Sequence, residues 1–300
     1  MSGRLKGQVN LEFWFVLAVL VAFLWGAAGI FAKFSTPKLG VRRVAILITI
    51  VEGSLYATAF MVLRKDVPIS LADALFAIGS CIAGIAGYLC FFESIMEGQV
   101  AIAGTISAAY PALTVIGAIL LLSERLTIIQ GIGVLGIILG IIALSYEPNP
   151  GSLHSTSRRS IIFAFLAFAL WGLWSLTSKM VIDRISAGNL FAFYVVSSLS
   201  APLLYALFRS IRPDNEDRGN PTRLAWSIGA VALALNVVGA WAYSYALETG
   251  SASLVVPISS AYPLVTVVMA VAFLREKINR FHIAALVVVG ASLILVGASL

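Results

Sequence analysis

Ten long apolar runs dominate this chain of 300 residues and restrict the folds open to it. Each run has about 18 to 25 residues, and at about 1.5 Å per residue a helix of that length crosses a hydrocarbon core of about 30 Å. The runs lack the apolar and polar alternation of a membrane β-barrel. We therefore predict an all-α, polytopic membrane protein with ten transmembrane helices. Predicted spans 1 to 10 cover residues 13–34, 44–63, 72–96, 99–122, 126–145, 161–182, 189–208, 223–247, 252–274 and 278–298.

The composition supports a membrane protein and argues against other classes. Hydrophobic residues make up 60% of the chain and charged residues 11%, whereas a soluble domain has roughly 25% charged residues. The net charge of +6 comes from basic residues scattered among loops, so no nucleic-acid binding is predicted. Cys81 and Cys90 share one run and His154 is far from His282, so neither a metal site nor a cofactor is predicted.

An internal repeat relates the two halves of the chain. SAAYPALT, residues 107–114, returns as SSAYPLVT, residues 259–266, at an offset of 152 (259 minus 107). WGAAGIFAK, residues 25–33, matches WGLWSLTSK, residues 171–179, at an offset of 146 (171 minus 25). Each half is therefore predicted to be one copy of a five-span unit.

Because five is odd, the second copy must enter the membrane from the opposite side. We predict two inverted repeats, residues 1–148 and 161–300, joined by a linker at 149–160 and enclosing a central cavity. Many secondary transporters are built on inverted repeats. The symmetry provides two exchangeable conformations, one facing each side.

Both copies carry a Tyr-Pro pair near the middle of a span. Proline inside a helix removes a backbone hydrogen bond and costs about 3 kcal/mol or more. At membrane depth the freed carbonyl group must face another helix or water. We predict that Pro111 and Pro263 break spans 4 and 9 beside the cavity. A packing kink without ligand contact is the alternative that position leaves open.

These features resemble the drug/metabolite transporter superfamily and, within it, the ten-span EamA-type exporters. The resemblance rests on the duplication, on the Trp-Gly pairs at Trp25 and Trp171, on the Tyr-Pro centres and on the glycine-spaced hairpin at 123–140. It implies a basket-shaped bundle with a central cavity that moves amino acids or related small metabolites. The second hairpin keeps a glutamate, Glu276, but lacks most of the glycines.

Aromatic and amide side chains in the spans around the predicted cavity are candidates for substrate binding. Their flat apolar faces and hydrogen-bonding tips suit a small amphipathic solute. The candidates are Trp25, Tyr88, Tyr110, Trp171, Asn236, Trp241, Tyr243 and Tyr262. Trp and Tyr also mark membrane interfaces. For Tyr88, Trp241 and Tyr243, an interfacial or packing role is the alternative.

Charged residues near span ends are candidates for gates. Lys33 and Glu93 reach one membrane face, and Lys179 and Glu248 reach the other. An ionisable residue at membrane depth costs about 2.5 to 3.5 kcal/mol and is a functional candidate. We predict two ion pairs, each of which closes the cavity on its own side. Snorkelling of each lysine to the headgroups is the alternative.

The protein is predicted to be a multi-pass protein of the cell (inner) membrane, and the first apolar run is interpreted as a retained span. Of the 20 basic residues, thirteen lie on the side away from the termini, which favours both termini outside.

The sequence does not separate a monomer from a homodimer. Gly133, Gly136 and Gly140 have the spacing that lets helices approach closely, within one chain or between two.

The sequence contains no HExxH, GxSxG or Walker motif, so no enzyme is predicted. The leading hypothesis is a secondary transporter that exports amino acids or related metabolites by alternating access. A small-cation or drug exporter is the alternative, and it is disfavoured because spans 1 and 6 lack a mid-membrane glutamate for exchange with protons. An intramembrane enzyme or a scaffold is a third, weaker reading.

Overall fold

The structure is a computed structural model that describes residues 2–97, 100–146, 158–210, 220–274 and 279–300. Glu276 and most of the predicted linker lie outside these ranges. The described residues form helices and connecting turns, without strands. Ten helical segments in them are long and apolar enough to cross a membrane, so the predicted fold class is confirmed. Spans 1 to 10 are Phe13–Thr36, Arg42–Leu63, Leu71–Phe91, Gly104–Leu121, Ile128–Ser145, Arg158–Ile185, Ala187–Leu207, Arg223–Thr249, Ala252–Ala272 and Arg280–Ala298.

Three of the spans are divided. Span 2 is formed by α2 and α3 with a π-helical turn, Ile48–Glu52, between them; span 4 is formed by α5 and α6, and span 9 by α11 and α12. The helices are α1 (Ser2–Leu39), α2 (Val41–Leu47), α3 (Gly53–Leu63), α4 (Leu71–Glu97), α5 (Val100–Ala108), α6 (Tyr110–Leu121), α7 (Ile128–Ser145), α8 (Arg158–Ile185), α9 (Ala187–Ser210), α10 (Arg223–Thr249), α11 (Ala252–Ser259), α12 (Tyr262–Leu274) and α13 (Arg280–Ala298).

The Tyr-Pro pairs start new helices instead of bending continuous ones. α5 ends at Ala108 and α6 begins at Tyr110, so Pro111 lies in the first turn of α6. Proline is tolerated there because the first N–H groups of a helix have no intrahelical acceptor. In span 9, α12 begins at Tyr262, and Pro263 takes the same position. Each of these spans is therefore two short helices in series.

The first span of each repeat packs against the third span of the other repeat. Span 1 lies along span 8, and span 6 lies along span 3. The indole N–H of Trp25 donates to the carbonyl oxygen of Asn236 at 3.2 Å, and that of Trp171 donates to the carbonyl oxygen of Gly84 at 3.2 Å. Positions 84 and 236 differ by 152, the offset of the repeat. The two bonds are thus one contact made twice.

Glycine is required where these indoles meet the facing helix. A Cβ atom at Gly239 would lie 2.6 Å from the Trp25 ring, and a Cβ atom at Gly87 would lie 2.7 Å from the Trp171 ring. Carbon atoms pack at about 3.5 to 4.0 Å, so a larger residue would collide with the indole. These two glycines are also related by the offset of 152.

The glycines of span 5 pack against span 10 of the same chain. A Cβ atom at Gly133 would lie 2.5 Å from Val296, and one at Gly140 would collide with Val289. The close approach predicted from their spacing is therefore used within the chain, between the two repeats. Outward-facing positions on these helices, such as Ile128 and Ile294, are large, apolar and exposed, as expected for surfaces that face lipid.

Candidate functional site

A cavity of about 330 Å³ lies between the two repeats. Every span except 5 and 10 contributes described residues to its wall. Spans 2 and 7 are thus added to spans 1, 3, 4, 6, 8 and 9, which carry the substrate-binding candidates from the sequence. Six of the eight predicted substrate-binding residues line it: Trp25, Tyr88, Tyr110, Trp171, Asn236 and Tyr262. Three further aromatic residues, which were not among the candidates from the sequence, also line the wall: Tyr56, Trp174 and Tyr194.

Two residues of the wall, Trp25 and Asn236, lie close to the middle of their spans. Trp25 is 12 residues from the start of span 1 (25 minus 13) and 11 from its end (36 minus 25). Asn236 is 13 residues from each end of span 8 (236 minus 223 and 249 minus 236). At about 1.5 Å per residue, about 17 to 20 Å of helix separates these residues from either membrane face. The cavity is therefore at the depth where a carrier binds its solute.

The wall contains the same Tyr–Trp pair twice, and each pair joins one residue of the first repeat to one of the second. The rings of Tyr110 and Trp171 meet edge to face at 5.9 Å between centroids, and those of Tyr262 and Trp25 do so at 6.4 Å. This geometry is favoured for aromatic pairs. The hydroxyl of Tyr110 also lies 2.6 Å from that of Ser260. The wall is therefore built from side chains that hold one another in place.

Trp241 and Tyr243 do not line the cavity. Trp241 follows Asn236 by five residues on one helix, which turns it about 140° away from the wall, and its ring packs against a phenylalanine of span 7 at 6.3 Å. Tyr243 is only 1% exposed. It lies behind the wall, with ring centroids 5.3 Å from Trp25 and 5.5 Å from Trp174. Both side chains pack within the bundle, which was the alternative for these two residues.

An acidic residue in the middle of span 2, Glu52, was not among the candidates from the sequence. Glu52 is 10 residues from Arg42 (52 minus 42) and 11 from Leu63 (63 minus 52), and its side chain lines the cavity. The depth rule that selected Lys33 and Glu93 would have found it, because Glu52 is farther from a span end than either. An ionisable residue at this depth is a candidate functional group.

The π-helical turn Ile48–Glu52 and span 8 hold Glu52 in place. Such a turn inserts one residue into a helix and is frequent at functional sites. The hydroxyl of Thr49 in this turn donates to the carbonyl oxygen of Ser198 at 2.9 Å, which ties span 2 to span 7. The Asn236 side-chain amide donates to Oε1 of Glu52 at 3.0 Å. The carboxyl group is thus directed towards span 8.

The ionisable side chains of the described cavity wall are acidic only. In the described part of the chain, Glu52 is the single carboxyl group of the wall, and the wall has no Lys, Arg or His. The other polar groups are tyrosine and serine hydroxyls, one cysteine, the indole N–H groups and the amide of Asn236. The wall therefore offers many neutral hydrogen-bonding groups and one acid.

Ion pairs between the repeats close the bundle at the end where the termini lie. Lys65, after span 2, pairs with Glu248 of span 8 at 2.7 Å. Asp73 of span 3 pairs with Arg184 of span 6 at 3.3 Å. Each pair joins one residue of the first repeat to one of the second, so this end cannot open without separating them.

Glu124 adds a third connection at the same end. Its carboxylate accepts hydrogen bonds from the backbone N–H groups of Ala252 and Ser253, both at 2.8 Å. These are the first residues of α11, where N–H groups lack intrahelical partners and the helix dipole favours a negative charge. A first-repeat carboxylate thus caps a second-repeat helix.

The gate predicted at this end differs in its pairing. Glu248 pairs with Lys65, whereas Lys179 pairs with Asp183 at 2.7 Å and donates to the carbonyl oxygen of Leu247 at 2.9 Å. Lys179 and Glu248 are neighbours, but each has another ionic partner. Asp183 competes for Lys179 because it lies one helical turn away on the same face.

The two residues predicted for the opposite gate lie on helices with different packing partners. Lys33 is exposed on span 1, which packs mainly against span 8. Glu93 is half-buried in α4, two residues past the end of span 3 (93 minus 91), and α4 packs mainly against α8. Their pairing remains a prediction.

Known proteins match the chain in both sequence and fold. The model of the EamA-like transporter family matches it twice, over residues 12–146 and 158–298. An uncharacterized protein of Methanocaldococcus jannaschii is 34% identical over 131 residues, which make up 43% of this chain and 94% of that protein, so the relative has about the length of one repeat. A protein of known crystal structure shares the fold, with a TM-score of 0.77 and 17% identity over 96% of this chain and 98% of that one.

Proposed function

Because the chain belongs to the EamA-like transporter family, we propose that it is a secondary transporter that exports small amphipathic metabolites, amino acids among them, by alternating access. The observation that carries this proposal is the cavity at mid-membrane, walled by side chains of both repeats. The described wall residues of one chain come from spans of both repeats, and we propose that the monomer is sufficient for transport. We propose no enzymatic activity, and we place the transporter in the cell (inner) membrane.

The arrangement of open and closed ends supports alternating access. At the terminal end, ion pairs and the Glu124 cap join the repeats. In the other direction the wall extends past mid-span to Ala32 and Leu233. Because the repeats are inverted, exchanging their conformations would close this second end and open the first. The solute would then leave on the opposite side from its entry.

The wall suits a small solute with an apolar or aromatic part. Its volume of about 330 Å³ lies near the lower end of ligand sites, which span about 300 to 1,000 Å³. Aromatic faces provide apolar contact, and tyrosine hydroxyls, serine hydroxyls and Asn236 offer hydrogen bonds that can fix orientation. Amino acids with aromatic or branched side chains combine these properties.

Gating by ion pairs is part of the proposal, with revised partners at one end. At the terminal end, Lys65 with Glu248 replaces the direct pair of Lys179 with Glu248, and Lys179 holds the neighbouring backbone at Leu247. At the opposite end, Lys33 and Glu93 remain the proposed pair. Both pairs would break and form in alternation.

Export of small organic cations is a second candidate function, and Glu52 is the observation that favours it. The sequence argument against this function was the missing mid-membrane glutamate in spans 1 and 6. Glu52 supplies a carboxyl group at that depth from span 2. A membrane carboxylate can neutralise a cation in transit.

Uptake into proteoliposomes tests the proposed function. The purified protein is reconstituted, and counterflow of labelled amino acids, aromatic amines, purine-type metabolites and phosphorylated sugars is measured with and without a pH gradient. We expect saturable uptake of amphipathic solutes and none of phosphorylated sugars, since the described residues of the wall include no basic group for a phosphate. Liposomes without protein provide the background.

A cavity-filling variant provides the matched control for that experiment. Ala32→Trp places a bulky ring in the cavity wall without changing charge, and it should abolish uptake. Ala72→Trp makes the same replacement at an exposed position at the start of span 3 and should leave uptake intact. Uptake of no solute in the panel, or full activity of Ala32→Trp, would contradict the proposal.

A further inference from the structure

We propose that Glu52 selects the charge of the transported solute: its carboxylate binds a protonated amine, so the cavity accepts solutes with an ammonium group and rejects those whose only charge is negative. The inference rests on the proposed transport function and adds to it the chemical class of the substrate. It applies equally to amino acids, which carry an ammonium group, and to simple organic amines.

The position of Glu52 is the first argument. Its side chain lines the cavity at about the same depth as Trp25 and Asn236, so a solute held between the aromatic rings is within reach of the carboxylate. A lone charged group in the membrane interior is costly and persists where it has a functional role. A residue that served only to fill space at this position would be apolar.

The missing counter-charge is the second argument. The described wall has no basic side chain, and the hydrogen bond found for Glu52 in the described chain is the one that Asn236 donates to Oε1. The other oxygen, Oε2, accepts no bond from a described residue. An amide neutralises no charge, so among the described residues the carboxylate has no ionic partner. A bound ammonium group would supply both the charge and the hydrogen bonds.

The aromatic wall is the third argument. Tryptophan and tyrosine rings are neutral, but their electron-rich faces attract cations through the ring quadrupole, and the attraction is larger where water is excluded. Eight Trp and Tyr side chains line the cavity, drawn from spans 1, 2, 3, 4, 6, 7 and 9. The same faces repel anions. Wall and carboxylate therefore favour the same sign of charge.

A purely structural role for Glu52 makes a different prediction. If the hydrogen bond to Asn236 only held span 2 against span 8, then Glu52→Gln, which keeps the size and an acceptor oxygen, would preserve binding of every solute. If Glu52 selects charge, the same variant would weaken binding of amines alone. Selectivity, and not affinity by itself, therefore separates the two roles.

The experiment uses four probes with the same phenyl ring and different charge. Phenethylamine is positive, phenylalanine is a zwitterion, 2-phenylethanol is neutral and 3-phenylpropionate is negative. Their binding to the purified full-length protein in nanodiscs is followed by the fluorescence of the wall tryptophans, Trp25, Trp171 and Trp174. Wild type should bind phenethylamine about tenfold or more tightly than the alcohol, the size of a hydrogen bond to a charged group, and should bind phenylpropionate most weakly.

Two substitutions of Glu52 and one control complete the design. Glu52→Gln should abolish the preference for phenethylamine and leave the affinity for phenylethanol unchanged. Glu52→Asp keeps the charge on a shorter side chain and should retain the preference for phenethylamine over phenylethanol. This variant therefore tests charge selection even if Glu52→Gln fails to fold. Asp66→Asn removes a carboxylate from an exposed loop and should match wild type.

Each outcome decides between the alternatives. Equal binding of the amine and the alcohol by wild type, tighter binding of phenylpropionate, or an unchanged preference in Glu52→Gln would each overturn charge selection by Glu52. The proposed function is tested separately by counterflow in proteoliposomes. Transport without discrimination of charge would leave that function standing and reject the inference, whereas transport of no solute would reject the function itself.

Discussion

The two repeats share a scaffold and differ in chemistry. In each, a tryptophan donates to a backbone carbonyl group of the other repeat at 3.2 Å. In each, a threonine of the broken span donates to the carbonyl oxygen of the Trp-Gly glycine: Thr114 to Gly172 and Thr266 to Gly26, both at 3.2 Å. Contacts that hold the helices together are thus present in duplicate, as expected if the repeats exchange conformations.

The polar contacts inside the cavity are not all duplicated, although the Tyr–Trp ring pairs are. Glu52 lies in the first repeat, and span 7, the equivalent of span 2 in the second, contributes Tyr194, Ser197 and Ser198 to the wall and no acid. Tyr110 bonds to Ser260, whereas Ala108 occupies the position equivalent to Ser260 (260 minus 152) and has no hydroxyl group for Tyr262. A symmetric scaffold can move in two directions, while an asymmetric wall presents one binding site in both states.

The largest expected effect is a loss of stability that tests the helix contacts duplicated in the two repeats. Gly87→Ala and Gly239→Ala place a methyl group against the indoles of Trp171 and Trp25, and each should lower the free energy of unfolding by about 1 to 3 kcal/mol through overpacking. Unfolding in mixed micelles would measure this. Gly79→Ala on span 3 is the matched control, because its Cβ atom meets nothing within 4 Å. Very different costs at the two tryptophan contacts would contradict equivalence of the repeats.

The next largest effect is a smaller loss of stability that tests a wall contact made by only one of the two equivalent tyrosines. Tyr110→Phe removes the bond to Ser260 and should cost about 0.5 to 1.5 kcal/mol of unfolding free energy. Tyr262→Phe should cost less, since Ala108 offers no such bond. The same unfolding measurement on both variants gives the difference. Equal costs would mean that the two tyrosines are equivalent after all.

A smaller effect is expected at the closed end. Lys65 is 53% exposed, so its pair with Glu248 is screened by solvent and should be worth about 1 kcal/mol or less. Lys65→Glu should therefore slow counterflow by about fivefold at most, and the double variant Lys65→Glu/Glu248→Lys should recover the rate. Lys38→Glu reverses an exposed charge at the other end and serves as the control. Lack of recovery would argue against this gate.

The opposite gate is expected to give the smallest effect. Lys33 is exposed, so Lys33→Glu and Glu93→Lys should each slow counterflow no more than the terminal-end variants do. Combining the two substitutions should restore the rate if the residues pair during the cycle. A double variant slower than both single ones would remove the pair from the mechanism.

Much of the candidate site could be anticipated from residue type and depth alone. Trp25, Tyr110, Trp171 and Tyr262 were selected because they sit in the repeated motifs at mid-span, and all four line the cavity. Trp241 was selected only as an aromatic residue of span 8, and it does not line the cavity. The difference arises from the rotation of the helix about its axis, because a shift of five residues turns a side chain by about 140°. A span that is apolar on all sides has no hydrophobic periodicity, so its sequence does not indicate which side faces the cavity.

The sequence by itself determined the class of fold. The bilayer demands apolar helices of about 20 residues, so ten runs predict ten spans, and an odd number of spans per copy makes the repeats inverted. Both inferences need only length, hydropathy and counting. The structure confirms the all-helical fold with ten spans.

Only the tertiary structure decided which side chains meet. Glu248 was expected to pair with Lys179, but its partner is Lys65, 183 residues away along the chain. Glu52 became part of the site because span 2 packs beside span 8, which brings Asn236 to within 3.0 Å. Such pairings depend on how each helix is rotated and on which helices cross between the repeats. Spacing along one chain specifies neither, because both are set by packing across the interface that the two repeats share.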